Sequence, residues 1–287
     1  MLKDEIDSLA PSRDFSRRSF VQTTVGSGFA AAVLPVAAQA ITTDGAGLEA
    51  GAVSIPVGGF AMPAYRAAPQ GSKNLPVVLV VSEIFGVHEH IADVCRRFAK
   101  QGYLAIAPEL FARHGNAGAY TDIPKLIAEV VSKAGDAQVM GDLDAAVAWA
   151  ATQGGDTARL AITGFCWGGR TTWRYAAHNP RLAAAAAWYG PVARSYHEGD
   201  KTIIELAAQV KAPVLGLYGA ADGGIPVDTL KQLEAALEAA GNDRCEFVVY
   251  PDTPHAFHAD YRPSYREAAA RDGWARCLAW FRKNGVA

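Results

Sequence analysis

ITGFCWGG, residues 162–169, sets the end of an apolar β-forming run (Leu160–Thr163) against Gly164-Phe165-Cys166-Trp167-Gly168, and a helix-compatible stretch follows. A Gly-x-Cys-x-Gly pentapeptide at such a junction has the layout of a nucleophile elbow, where a sharp turn lifts one side chain off the end of a sheet. Glycines at 164 and 168 relieve crowding around a residue held in that turn. A helix starting beneath Cys166 would favour its thiolate. Taken alone, the pentapeptide suits a packed cysteine equally well, because short motifs recur by chance.

Working outward, strand and helix periods alternate. Leu75–Val81 (LPVVLVV) is a continuous β-branched run, the pattern of a strand buried on both faces. His88–Gln101 places Ile91, Val94, Cys95 and Phe98 on one helical face, with Gly102 as a stop. Tyr103–Pro108 is strand-like and Asp136–Thr152 helical. Strand Leu160–Thr163 leads to helix Trp167–His178, then strand Ala183–Tyr189. Residues 212–219 and 245–250 are two further strands around a helix over Val227–Ala240, and a last helix covers Ser264–Lys283. Two short strands, Ala52–Val57 and Met62–Ala67, flank a Gly58-Gly59 turn. Five or more β-then-α alternations without a composition break predict one α/β domain, with a mainly parallel central sheet and helices on both faces. In such a sheet, chemistry belongs on loops at the carboxyl ends of strands.

Bulk composition agrees. The 287 residues are 50% hydrophobic and carry a net charge of −2, which suits one large core and gives no electrostatic footprint for nucleic acid or an anionic membrane. Cys95, Cys166, Cys245 and Cys277 form no Cys-x-x-Cys pair, so neither zinc nor a redox couple is indicated. Residues 1–40 differ in kind. A polar start leads to Arg17-Arg18, then a Gly- and Ala-rich run ending in Ala38-Gln39-Ala40, the order of an export signal with a small-residue cleavage site. Ser-Arg-Arg-x-Phe-Val resembles a twin-arginine signal. This predicts a periplasmic or secreted protein handled by the twin-arginine export machinery, or a cytoplasmic one if the signal is not processed. Gln22, Thr23, Thr24, Ser27 and Pro35 interrupt the run, so no membrane anchor is expected. Residues 41–51 read as a linker and 52–287 as the domain.

Two more strand ends carry candidates. LYGAADGGIP puts Asp222 in a Gly-rich loop after one strand, and VVYPDTPHAF puts His255 just beyond the next. The order Cys166, Asp222, His255 is the nucleophile–acid–base order of the α/β-hydrolase fold. His255 would take the thiol proton and Asp222 would fix its tautomer. The loop after Leu75–Val81 holds Glu83-Ile84-Phe85-Gly86. In this fold it supplies one oxyanion-hole amide and the residue after the nucleophile supplies the other, here Ile84 and Trp167. Glu83 beside a thiol opposes its ionisation; otherwise it is an exposed loop charge. HEH (88–90) and HAFH (255–258) have imidazoles at ligand-like spacings, but no carboxylate or thiol set completes a shell, so neither a metal nor another cofactor is called for. Trp167, Trp173, Trp188 and Tyr189 are candidates to line a cleft or to pack near the elbow.

Residues 52–285 resemble the dienelactone hydrolase (carboxymethylenebutenolidase) family. The resemblance rests on Glu83-Ile84-Phe85-Gly86, YLAIAPELFAR (103–113), GDLDAAVAW (141–149), Gly164–Gly169, Gly219-x-x-Asp222 and Pro254-His255-x-Phe257. It implies a small-molecule lactone or ester opened through an acyl-thiol, with the residue matching Glu83 holding the resting thiol and helping to deprotonate it. It also implies two carboxylate-binding arginines. One falls at Ala259, with Asp260 next and Arg262 three further on; the other falls in 120–130, which offers only Lys125. Arg113 belongs to a different matched segment. The reaction type carries over and dienelactone as substrate does not. A broader esterase or thioesterase, and a non-catalytic binding homologue, are the competing expectations.

Overall fold

All seven side chains of Leu75–Val81 are buried, and a strand covered on both faces needs helices on each side. The computed structural model, which describes residues 40–196 and 199–287, supplies them. Its strands are β1 Leu48–Val57, β2 Phe60–Pro69, β3 Leu75–Val81, β4 Leu104–Pro108, β5 Gly155–Phe165, β6 Ala184–Trp188, β7 Val214–Gly219 and β8 Glu246–Tyr250. They form one sheet in the order β1-β2-β4-β3-β5-β6-β7-β8. β1 and β2 are an antiparallel hairpin, β2 joins β4 antiparallel, and every other pair is parallel. The helices among the described residues are α1 Glu89–Lys100, α2 Ile123–Glu129, α3 Asp136–Thr152, α4 Trp167–His178, α5 Ile203–Leu206, α6 Val227–Ala239 and α7 Glu267–Lys283.

The chain steps one way along the sheet from β3 to β4, then the other way from β4 to β5 and onward. Right-handed crossovers therefore put α1 on one face and α3, α4 and α6 on the other. α7 completes the first face: Phe98 of α1 lies 4.5 Å from Trp274 and 6.0 Å from Phe281, ring to ring. On the opposite face, the Tyr175 hydroxyl of α4 donates to Asp144 of α3 at 2.9 Å. The reversal falls between β3 and β5, neighbours whose helices leave to opposite faces. A crevice forms beyond the carboxyl ends of two such strands. Val81 pairs with Gly164 across them, so Glu83 and Cys166 each sit two residues past the same rung.

Several boundaries differ from the sequence reading; β5, for one, begins at Gly155 rather than Leu160. β1 begins at Leu48, inside the segment expected to be a linker, because it pairs as far as Pro69; its half-exposed face hides the alternation. Residues ahead of it are tied down too. The Thr43 amide donates to Asp93 at 2.5 Å and Lys100 donates to Asp44 at 2.8 Å. The last helix begins at Glu267 rather than near Ser264, after an extended Arg266, which leaves Tyr261 and Arg262 in irregular backbone. Cys245 lies just before β8 rather than in it. Cys95 and Cys277 are buried in the core as expected. The proposed signal lies outside the described residues except for Ala40. No described helix is long and apolar enough to cross a membrane.

Candidate active site

Cys166 follows β5 directly and caps α4 with φ +56°, a left-handed conformation costing a non-glycine residue about 1–3 kcal/mol. Two backbone bonds hold it there: its amide donates to the Trp188 carbonyl at 3.0 Å, and the Arg170 amide donates to its carbonyl at 3.1 Å. The flanking glycines are required by close approach. A Cβ on Gly168 would lie 2.3 Å from the Val81 carbonyl oxygen, and one on Gly164 would lie 2.2 Å from that of Gly168. The first turn of α4 is thus seated against the end of β3. Trp167 is its first residue, where a helix amide has no intrahelical acceptor, and Ile84 follows Glu83 on the neighbouring strand's loop.

Asp222 lies in the turn after β7, its Oδ1 accepting from the Gly224 amide at 2.9 Å. Its Oδ2 is 2.6 Å from Nδ1 of His255, which stands beyond β8. With the carboxylate fixed, Nδ1 is the protonated nitrogen and Nε2 is left for chemistry. Nε2 is buried, and Cys166 is among the groups that act on the ring. Burial alone pushes the imidazole pKa down, but Cys166 and Asp222 outweigh it and raise the value well above the usual range. The Tyr189 ring meets the His255 ring edge-on at 5.1 Å. Tyr189 and Ala256 also have positive φ, at 38° and 58°, so strained backbone gathers around this site.

Glu83 is not an exposed loop charge. It is 1% exposed, and burial raises its pKa, yet Arg262, His88 and Tyr261 together hold the carboxyl far below its usual range. The Tyr261 hydroxyl donates to Oε2 at 2.6 Å. His88 Nε2 is 3.8 Å from the same oxygen, and Arg262 Nε donates to the Tyr261 hydroxyl at 3.2 Å. Sequence reasoning placed His88 only in a histidine pool, did not single out Tyr261 and gave Arg262 no part. These residues lie in irregular segments where no periodicity marks an inward side chain. The Glu83 loop is also tied to half-buried Glu109, whose carboxyl has a pKa raised by desolvation and accepts from the Val87 amide at 2.7 Å.

The four sequence candidates Cys166, Asp222, His255 and Glu83 thus converge at the β3/β5 crevice, and all are buried. The family's arginine positions do not join them as arginines. Ala259 is fully buried, Lys125 is an exposed partner of Glu129, and Arg113 pairs with Asp142 at 2.8 Å. The histidine pool divides. His90 and His258 face each other at 5.6 Å, whereas His255 is committed to Asp222. Among the described residues no group of three or more His, Cys, Asp or Glu is arranged to hold a metal ion.

Residues 62–285 match the dienelactone hydrolase family. A Methylorubrum extorquens protein bearing the name "Putative carboxymethylenebutenolidase" is 58% identical over 286 residues, 99% of this chain and 98% of its own length. An Escherichia coli K12 protein of the same name is 52% identical over 270 residues, 92% of this chain and 97% of its own. Among solved structures, the "Putative Dienelactone Hydrolase" of Klebsiella pneumoniae is 57% identical and superposes with a TM-score of 0.80, over 82% of this chain and 99% of its own.

Proposed function

The chain belongs to the dienelactone hydrolase family and is a carboxylic ester hydrolase, and on that premise we propose that it cleaves a lactone or ester through an acyl-thiol intermediate on Cys166. His255 Nε2 takes the thiol proton while Asp222 holds the ring and balances its positive charge. The sulfur adds to the substrate carbonyl, and the electron pair moves onto oxygen, where the Ile84 and Trp167 amides receive it. One such donor is worth about 3–4 kcal/mol of barrier. As the tetrahedral adduct collapses, the C–O bond breaks and the leaving alkoxide takes the proton from His255. Water, deprotonated by His255, then hydrolyses the thioester. Cysteine needs less activation than serine, its free pKa being about 8.5. Glu83 keeps the resting thiol protonated through like-charge repulsion.

The observation that carries this reading is the buried 2.6 Å His255–Asp222 bond beside a cysteine in a strained strand-to-helix turn. Buried Ala259, where the family resemblance implies a carboxylate-binding arginine, favours a second reading within the same chemistry: a broader esterase or thioesterase. Activated esters, enol-lactones and thioesters should be assayed with wild type and Cys166→Ala side by side. The substitution should lower kcat by roughly 10⁴-fold or more. Equal turnover of every substrate by both proteins would refute the cysteine mechanism.

A further inference from the structure

The buried groups around Glu83 fix their own hydrogen-bond directions. Arg262 has only donors to offer and an ionised Glu83 has only acceptors. Tyr261 stands between them, accepting from Arg262 Nε at 3.2 Å and therefore committing its single proton to Glu83 Oε2 at 2.6 Å. His88, stacked edge-on to the Tyr261 ring at 5.1 Å, has Nε2 3.5 Å from the hydroxyl and 3.8 Å from Oε2. Among the described residues, the Tyr261 hydrogen bond and the His88 contact both fall on Oε2. Oε1 is buried and has no hydrogen-bond partner among the described residues.

We propose that Tyr261 is a positioning residue that bridges Arg262 and Glu83, occupying one carboxylate oxygen so that the other stays available to the Cys166 thiol. Direct contact with a guanidinium would engage both oxygens in a fork. The guanidinium acts on Glu83 by its charge through space, while the phenol supplies the hydrogen bond to one oxygen only, and Tyr261 is itself buried. Tyr261 holds its place because the neighbouring Asp260 is clipped to α1, accepting from Arg97 at 2.6 Å and meeting His90 Nδ1 at 3.2 Å. When His255 Nε2 takes the thiol proton, the S–H bond breaks, the sulfur keeps the electron pair, an N–H bond forms at Nε2, and Glu83 Oε1 stays the anionic neighbour that the thiolate must overcome. The Tyr261 bond to Oε2 persists throughout.

This inference rests on Glu83 restraining the thiol, and a double-mutant cycle separates the two ideas. Iodoacetamide alkylation of Cys166 would be timed at neutral pH without substrate, in protein whose remaining thiols are followed separately by mass spectrometry. Glu83→Gln should speed alkylation on the order of ten-fold, one unit of thiol pKa. Tyr261→Phe should speed it in the same direction, and should add less than about two-fold in the Glu83→Gln background, as expected for residues acting through one group. Arg262→Lys keeps the Tyr261 hydroxyl and removes the Nε donor to it, so it serves if Tyr261→Phe fails to fold. It should show the same dependence on Glu83. Additive effects, or a Tyr261→Phe rate equal to wild type beside an accelerated Glu83→Gln, would overturn the bridge and leave the role of Glu83 standing. A Glu83→Gln rate equal to wild type would overturn both.

Discussion

Replacing Gly168 with alanine tests whether the elbow works by the close seating of α4 on β3. The added Cβ would lie 2.3 Å from the Val81 carbonyl oxygen and 2.6 Å from that of Ser82, where ordinary contact begins at 3.4 Å. Both obstacles are backbone atoms, so no side chain can swing aside. The first turn of α4 must retreat from β3 by about 1 Å, the shortfall between these distances. Cys166 and the Trp167 amide would travel with it, whereas Glu83 and the Ile84 amide are anchored on β3. A misplacement of about 1 Å between reacting groups costs on the order of 10²-fold in rate. Overpacking costs about 1–3 kcal/mol, and the better helix propensity of alanine returns about 1 kcal/mol. Net destabilisation should therefore be modest, about 0–2 kcal/mol, at most a few degrees in Tm for a domain this size. kcat/KM on an activated ester, measured beside a thermal melt, should show activity falling about 10²-fold in a protein that stays folded at assay temperature. Activity within two-fold of wild type, with an unchanged Tm, would refute the idea that this contact sets the site's geometry.

Two other perturbations test features away from the elbow. Asp260 is held at a pKa of about 2, from 3.8, because His90 and Arg97 outweigh its burial. A depressed carboxylate stabilises the fold above its unfolded pKa, and the contribution fades as pH falls from about 4 toward 2. Asp260→Asn should accordingly cost about 2 kcal/mol in urea unfolding at pH 7 and little in acid; an equal cost at both would show that the ion pairs are not its source. For residues 1–40, we propose twin-arginine-type export. Full-length protein should appear in the periplasmic fraction and an Arg17→Lys/Arg18→Lys double variant should remain in the cytoplasm, and identical fractionation of the two would refute the signal.

Much of the fold was legible because its elements state their own periods. Helices Asp136–Thr152 and Trp167–His178 have in the structure the ends read from the sequence, since glycines or a sharp turn bound them. The hairpin was underestimated because β1 exposes much of one face and carries small residues. Asp222 and His255 could be picked out as partners for Cys166 because each follows a strand, and strand order in a parallel sheet converts chain order into position.

The sequence by itself determined the alternating architecture, the cysteine at the elbow and the order of its partners, because backbone periodicity and turn chemistry are local properties. Only the tertiary structure decided the state of Glu83. In the chain it is one acid in a loop. In the fold it is buried, ionised and held through Tyr261 by Arg262, residues nearly 180 positions away in irregular backbone. The side-chain directions there follow from packing against α1 and not from any repeat. Whether a carboxylate in such a loop faces water or a thiol depends on which distant groups the fold brings to it, and that information is not local.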